Sequence, residues 1–163
     1  MALASAPVAV PASPARRRRR RPILGLLAVV AVLLGAAACM PAEERTFLDR
    51  TNALRTSQGV RPLAEHDTLT QKAESWAQHM AATGKLAHSQ LSAGLSSLPW
   101  RTLAENVGVS APTADTLLSI HNAFAASPTH RSNLLDRRFT HMGVGVARSA
   151  DGRVWVAEVF AQL

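Results

Sequence analysis

Six consecutive arginines, residues 16–21, stand just ahead of a stretch, 23–38, that carries no charge and is almost wholly apolar (ILGLLAVVAVLLGAAA). A positive flank, a short apolar run and small residues at its end are the three parts of an export signal. The run falls short of the roughly 20 residues that a spanning helix needs, although tilt and local thinning of the bilayer accommodate a short anchor. The chain is thereby divided: residues 1–39 are an address, and residues 40–163 are what must fold. Positive flanks stay on the cytoplasmic side, so the folding part is expected outside the cytoplasm.

The same division changes the meaning of the charge. The 163 residues hold 18 Lys plus Arg against 11 Asp plus Glu, a net charge of +7. With the six arginines set aside, 12 positive charges face 11 negative ones, and the folding part is nearly neutral. A nucleic-acid footprint needs Lys and Arg spread over a face or groove, so nucleic acid is excluded as a partner. The single cysteine, Cys39, excludes an intrachain disulfide framework and a multi-cysteine zinc knuckle. The remaining length suffices for one core.

Residues 43–58 read as a helix. Phe47, Thr51, Leu54 and Gln58 share one face, Glu43 and Glu44 suit its positive end, and Gly59 is a stop. A second helix is expected from a cap at Asp67 or Thr68 to about Thr83, with Leu69, Ala73, Trp76, Ala77 and Met80 as its apolar stripe and Gly84 at its end. Residues 85–101, rich in Ser, Gly and Pro, form a loop carrying His88, long enough to be functional. A third helix is expected over 113–126, with Leu117, Ile120 and Phe124 inward. Ser127-Pro128 then restarts a short helix, with Ser127 as N-cap and Pro128 in the first turn. Asp151-Gly152 between the β-rich runs 141–147 and 153–160 marks a hairpin. Helices first and strands last give an α+β class, helices packed on an antiparallel sheet.

Spacing alone names no catalytic motif. His88, Glu105 and His130 lie 17 and 25 residues apart, unlike the short spacings of a metalloprotease helix. Taken singly, His88 is a loop histidine bonded to backbone, and Glu105 either ties down a turn at ENVG or belongs to a site. His130 packs beside Arg131, and Asn133 satisfies loop carbonyls. Trp76 and Trp155 read as core with an indole donor that needs an acceptor; Trp100 either lines a cavity or closes the loop. His121, beside the apolar face of the third helix, is the best of the remaining histidines. Ser127 and His130 as nucleophile and base compete with the capping role, and no orienting acid is evident.

Taken in order, NALR at 52–55, Pro62-Leu63, His88-Ser89, LAENVG at 103–108, SPTHRSNLL at 127–135, GVGV at 143–146 and Val159-Phe160 form a specific set. The set resembles a bacterial CAP domain, of the cysteine-rich secretory, venom-allergen and pathogenesis-related superfamily, also called the SCP domain. The resemblance covers about residues 44–162. It implies an α-β-α sandwich with a small antiparallel sheet between helical layers. It also implies that His88, Glu105 and His130 meet in a shallow cavity able to hold Zn²⁺ or another divalent ion, with Ser89, Asn106 and Ser127 as lining. The family's second acidic residue follows a tryptophan as WxxE; Phe124 and Ser127 stand at those positions, so that carboxylate is missing, and Glu158 is the substitute to look for. Two imidazoles and one carboxylate leave a fourth zinc position open, where a water would be activated. Three functions follow from the resemblance. The first is a binding module with a neighbouring groove for a lipid, peptide or cell-wall ligand. The second is a metal-assisted, peptidase-like hydrolase using the same cavity. The third is a structural or interaction domain without metal. Cys39, directly after Gly35-Ala36-Ala37-Ala38, resembles a bacterial lipobox with Ala36 in place of the usual leucine. Lipidation at Cys39 and membrane anchoring are therefore expected; cleavage after Ala38 with secretion, or an uncleaved anchor, stay open.

Overall fold

Val154, Val156 and Phe160 face one apolar core, while Trp155, Ala157, Val159 and Ala161 face another. They belong to one strand, β4 (Val154–Gln162), buried at every position except the last. Successive strand residues point to opposite faces, so a strand with apolar residues buried on both faces must lie between two layers. The computed structural model describes residues 41–163; the export role expected of residues 1–39 and the lipidation expected at Cys39 lie outside the described residues.

On one side β4 pairs antiparallel with β3 (His141–Arg148), and on the other with β2 (Thr102–Ser110). The hairpin between β3 and β4 turns at Gly152, φ 82°, as the Asp-Gly signal requires. A two-residue strand, β1 (Ala64–Glu65), extends the sheet in the order β1-β3-β4-β2 and runs parallel to β3. The sheet is therefore mixed, where an antiparallel one is expected from the sequence. A parallel pair needs a long crossover connection, and the elements between β1 and β3 supply it. A second departure concerns ENVG, which is not a turn: residues 102–110 pair with β4 along their whole length. Glu, Asn and Gly are weak strand formers, and pairing with the most buried strand overrides them.

Helix α2 (Asp67–Thr83) packs on one face of the sheet, beneath the loop 85–101; α1 (Ala42–Ser57), α3 (Thr116–Ala126) and α4 (Pro128–Leu135) cover the other. This is the α-β-α sandwich that the resemblance implies. One cap and one helix start differ from expectation. His66, not Asp67 or Thr68, caps α2, its Nδ1 accepting from the Thr68 amide at 3.2 Å. Asp115 caps α3, accepting from the Leu118 amide at 2.9 Å, and the helix starts at Thr116 instead of Thr113.

The inward face of α1 also differs. Phe47, Leu48, Thr51 and Arg55 are buried, while Leu54 is half-buried and Gln58 exposed. Arg55 is fully buried and donates only to carbonyls: to Arg61 O and Leu134 O at 2.7 Å, Asp136 O at 3.1 Å and Phe139 O at 3.4 Å. Burial lowers its pKa, but a guanidinium keeps its charge through such a shift. It joins α1 to the two segments that lead into β1 and β3. Arg55→Lys keeps a charge but loses the planar fork, stranding buried carbonyls. We expect it to lower stability by about 2 kcal/mol, read as a lower urea midpoint. An unchanged midpoint refutes this role.

Candidate functional site

Glu105 and Asn106 are neighbours on β2, so their side chains leave the sheet on opposite faces. Glu105 turns toward the loop 85–101. Its side chain is only 3% exposed, yet it meets His88, 64% exposed, with Nδ1 2.8 Å from Oε1. The Ser89 amide donates to the same oxygen at 2.9 Å. The other carboxylate oxygen, Oε2, is buried with no partner, and so is the Ser89 hydroxyl. A buried polar atom without a hydrogen bond is costly, and two lie together here.

Asn106 turns toward α1 and α4 and is fully buried. Its Nδ2 donates to Glu158 Oε2 at 2.9 Å and to the His130 carbonyl at 3.3 Å, and its Oδ1 accepts from Asn133 at 3.0 Å. Asn133 also reaches the Glu105 carbonyl at 3.4 Å. Glu158 is fully buried, and Thr51 Oγ1 lies 3.3 Å from its Oε1. It is therefore no substitute for the missing acid. Its register opposite Asn106 places it on the α1 face, away from the Glu105 carboxylate.

His130 comes from α4. Its ring stacks on Phe124, centroids 5.0 Å apart at 28°, and its Nδ1 lies 2.9 Å from Ser127 Oγ. Ser127 holds the N-cap position, as expected, but makes no capping bond with its side chain; the hydroxyl serves His130 instead. Burial first, then the charge of nearby His88, lowers the pKa of His130, which favours the neutral ring. No carboxylate hydrogen-bonds His130 among the described residues, so the serine–histidine pair lacks the third member of a hydrolytic triad.

Of the three residues expected to meet, His88 and Glu105 are joined, and His130 stands near His88 but is bonded elsewhere. Two imidazoles and a carboxylate suit zinc by donor type. Their arrangement supplies a bonded pair, however, and among the described residues no three His, Cys, Asp or Glu side chains converge to hold a metal ion.

Trp100 closes the loop, its Nε1 donating to Leu95 O at 3.1 Å. Trp76 and Trp155 find their acceptors in Ala87 O and Ser149 Oγ, at 2.8 and 2.9 Å. His121 is a core residue, edge-on to Phe47 at 5.6 Å. The platform under His130 escapes sequence reading: Phe124 lies in the last turn of α3 and His130 in the first turn of α4, and the extended Ser127 between them breaks any single helical spacing.

A small sheet between one helix and three, with a buried glutamate tied to an exposed histidine, defines a CAP domain. The pattern of the Cysteine-rich secretory protein family, CAP, matches residues 48–160, and the chain belongs to that family. Among its relatives, the Bacillus subtilis (strain 168) protein YkwD, described as uncharacterized, is 28% identical over 130 residues, which cover 76% of this chain and 49% of YkwD. The chain thus spans about half the length of that relative. A cysteine-rich secretory protein from Staphylococcus aureus, 26% identical, superposes with a TM-score of 0.61 over 78% of this chain and 41% of its own. NaASP2, solved with Zn²⁺, is 16% identical, with a TM-score of 0.55 over 76% of this chain and 82% of its own. At that identity the likeness shows the fold alone.

Proposed function

We propose that the chain is an exported binding module that holds a divalent cation, Zn²⁺ by its donor chemistry, at Glu105 and His88. The unpartnered, buried Oε2 of Glu105 carries this reading: it is an acceptor already desolvated, beside an imidazole open to solvent. The Zn²⁺ in the NaASP2 structure supports the cation, and the secretory description of the Staphylococcus relative supports export. Fold alone does not assign an activity. Cys39 is the proposed lipid attachment point. With two donors in contact and His130 apart, the site is labile, unlike a structural zinc with four ligands.

The test is calorimetric titration of ZnCl₂ into the full chain in detergent. One ion per chain is expected, with affinity at least about tenfold weaker in His88→Ala and Glu105→Gln. No binding, or equal binding in both variants, overturns the cation reading.

A further inference from the structure

The outer side of α2 carries a groove that the Glu105 site does not use. Thr68, Gln71, Lys72 and Ser75 recur on one side of the helix, with Trp76 beside them, and Ala93 and Gly94 of the loop line the hollow, about 280 Å³ in volume. The loop wall is built, not incidental. Lys72 Nζ donates to Gln90 O at 3.0 Å and to Ala93 O at 3.1 Å. The Ala93 and Leu95 amides close successive turns on Gln90 O and Ser92 O, at 2.9 and 3.1 Å, and Leu95 is fully buried beneath. Trp76 is fixed by its bond to Ala87 O and by His79, which stacks on the ring at 4.7 Å and 17°. Gly94, at φ 80°, presents bare backbone to the hollow.

We propose that this groove binds a short saccharide carrying a carbonyl-bearing substituent, of the N-acetylhexosamine class. Residues 68–75 rise about 10 Å along the helix, and the volume lies at the small end of ligand pockets, which suits one or two sugar rings better than an acyl chain. A sugar ring offers an apolar C–H surface and an edge of hydroxyls. The indole meets the first, and the Gln71 amide with the Thr68 and Ser75 hydroxyls meets the second. An ammonium has three N–H donors; two of Lys72's are taken by carbonyls, and the third selects an acceptor in the groove. Burial lowers the pKa of Lys72, and the nearby Glu105 carboxylate only partly opposes that shift.

The inference rests on the binding-module reading and names a ligand class for it, but the two fail separately. Zinc titration reads Glu105 and His88; saccharide titration reads Lys72 and Ser75. The experiment is amide ¹H–¹⁵N NMR of the full chain in detergent with chitotriose, and with cellotriose as the sugar lacking acetamido groups. Chitotriose is expected to shift residues 68–76 and 90–94 and to saturate at millimolar concentration. Lys72→Met should weaken it about tenfold. Ser75→Phe, which fills the hollow from an exposed helix position, should abolish it while other amides stay in place. No shift, shifts elsewhere, an equal response to cellotriose, or unaltered binding in both variants overturns the proposal.

Discussion

A single added methyl group at Gly143 or Gly145 is expected to cost the domain at least about 3 kcal/mol, a large part of an ordinary domain's stability. A Cβ at Gly143 would lie 2.1 Å from the Leu69 carbonyl carbon and from the Thr70 nitrogen; at Gly145 it would lie 2.2 Å from the matching atoms of Ala73 and Glu74. These are backbone atoms of α2 and cannot rotate away. Two residues along a strand advance about 6.6 Å and four along a helix about 6 Å, so the glycines of GVGV meet successive turns of α2. To admit a methyl group the helix must lift off the sheet, opening the core of Leu69, Ala73, Ala77, Met80 and Trp155. Gly108 supplies the contrast. Its added Cβ would meet the Phe124 ring at 2.8 Å and Ile120 Cγ2 at 3.2 Å, side chains that can shift, and Gly108→Ala should cost about 1 kcal/mol. Urea unfolding of the full chain with each alanine variant ranks them. A wild-type midpoint for Gly145→Ala, or a larger loss for Gly108→Ala than for either β3 glycine, would sink this account.

The elements that the sequence announces are those whose local chemistry agrees with their surroundings. Asp-Gly between β-branched runs makes the β3–β4 hairpin, Gly84 ends α2 at φ 67°, and the stripe from Leu69 to Met80 is the inward face of α2, with Trp76 half-buried at its rim instead of in the core. Where tertiary pairing overrules local preference, reading fails. LAENVG has turn-forming residues at its centre and becomes a strand because β4 lies beside it. Arg55 has the spacing of a core position on α1, but a charged residue is discounted there unless the carbonyls that surround it are known. At the site, His88 and Glu105 are legible only as members of an ordered motif set; their 17-residue separation carries no signal of its own. The parting of Glu105 from Glu158 depends on strand register, which the sequence leaves open, because a one-residue slip would reverse the face.

Stability is expected to fall as pH rises from about 4.5 to about 8, and Glu158→Gln is expected to remove the part of that fall due to Glu158. Burial pushes the Glu158 carboxyl up to about 8, against an ordinary 4.5, with the bonds from Asn106 and Thr51 only partly opposing it. Within that window the folded chain keeps a proton that the unfolded chain releases. The unfolded state thus binds fewer protons, and each pH unit across the window lowers stability by up to about 1.4 kcal/mol. Below the window both states are protonated, above it neither is, and the slope vanishes. Glutamine has the shape of the protonated acid: its amide can donate to Thr51 Oγ1 while its carbonyl accepts from Asn106. The variant should match the wild type near pH 4.5 and exceed it by a few kcal/mol near pH 8. His121, His130 and His141 have pKa values lowered by burial, so they add a slope of opposite sign at mildly acidic pH. Glu44, raised by burial, adds one of the same sign as Glu158. The difference between variant and wild type cancels these contributions and isolates Glu158. Urea midpoints at half-unit steps across the window supply that difference. A flat difference curve, or a glutamine variant less stable at pH 8, would show that Glu158 is ionised in the folded protein and that its network with Thr51 and Asn106 holds a charge.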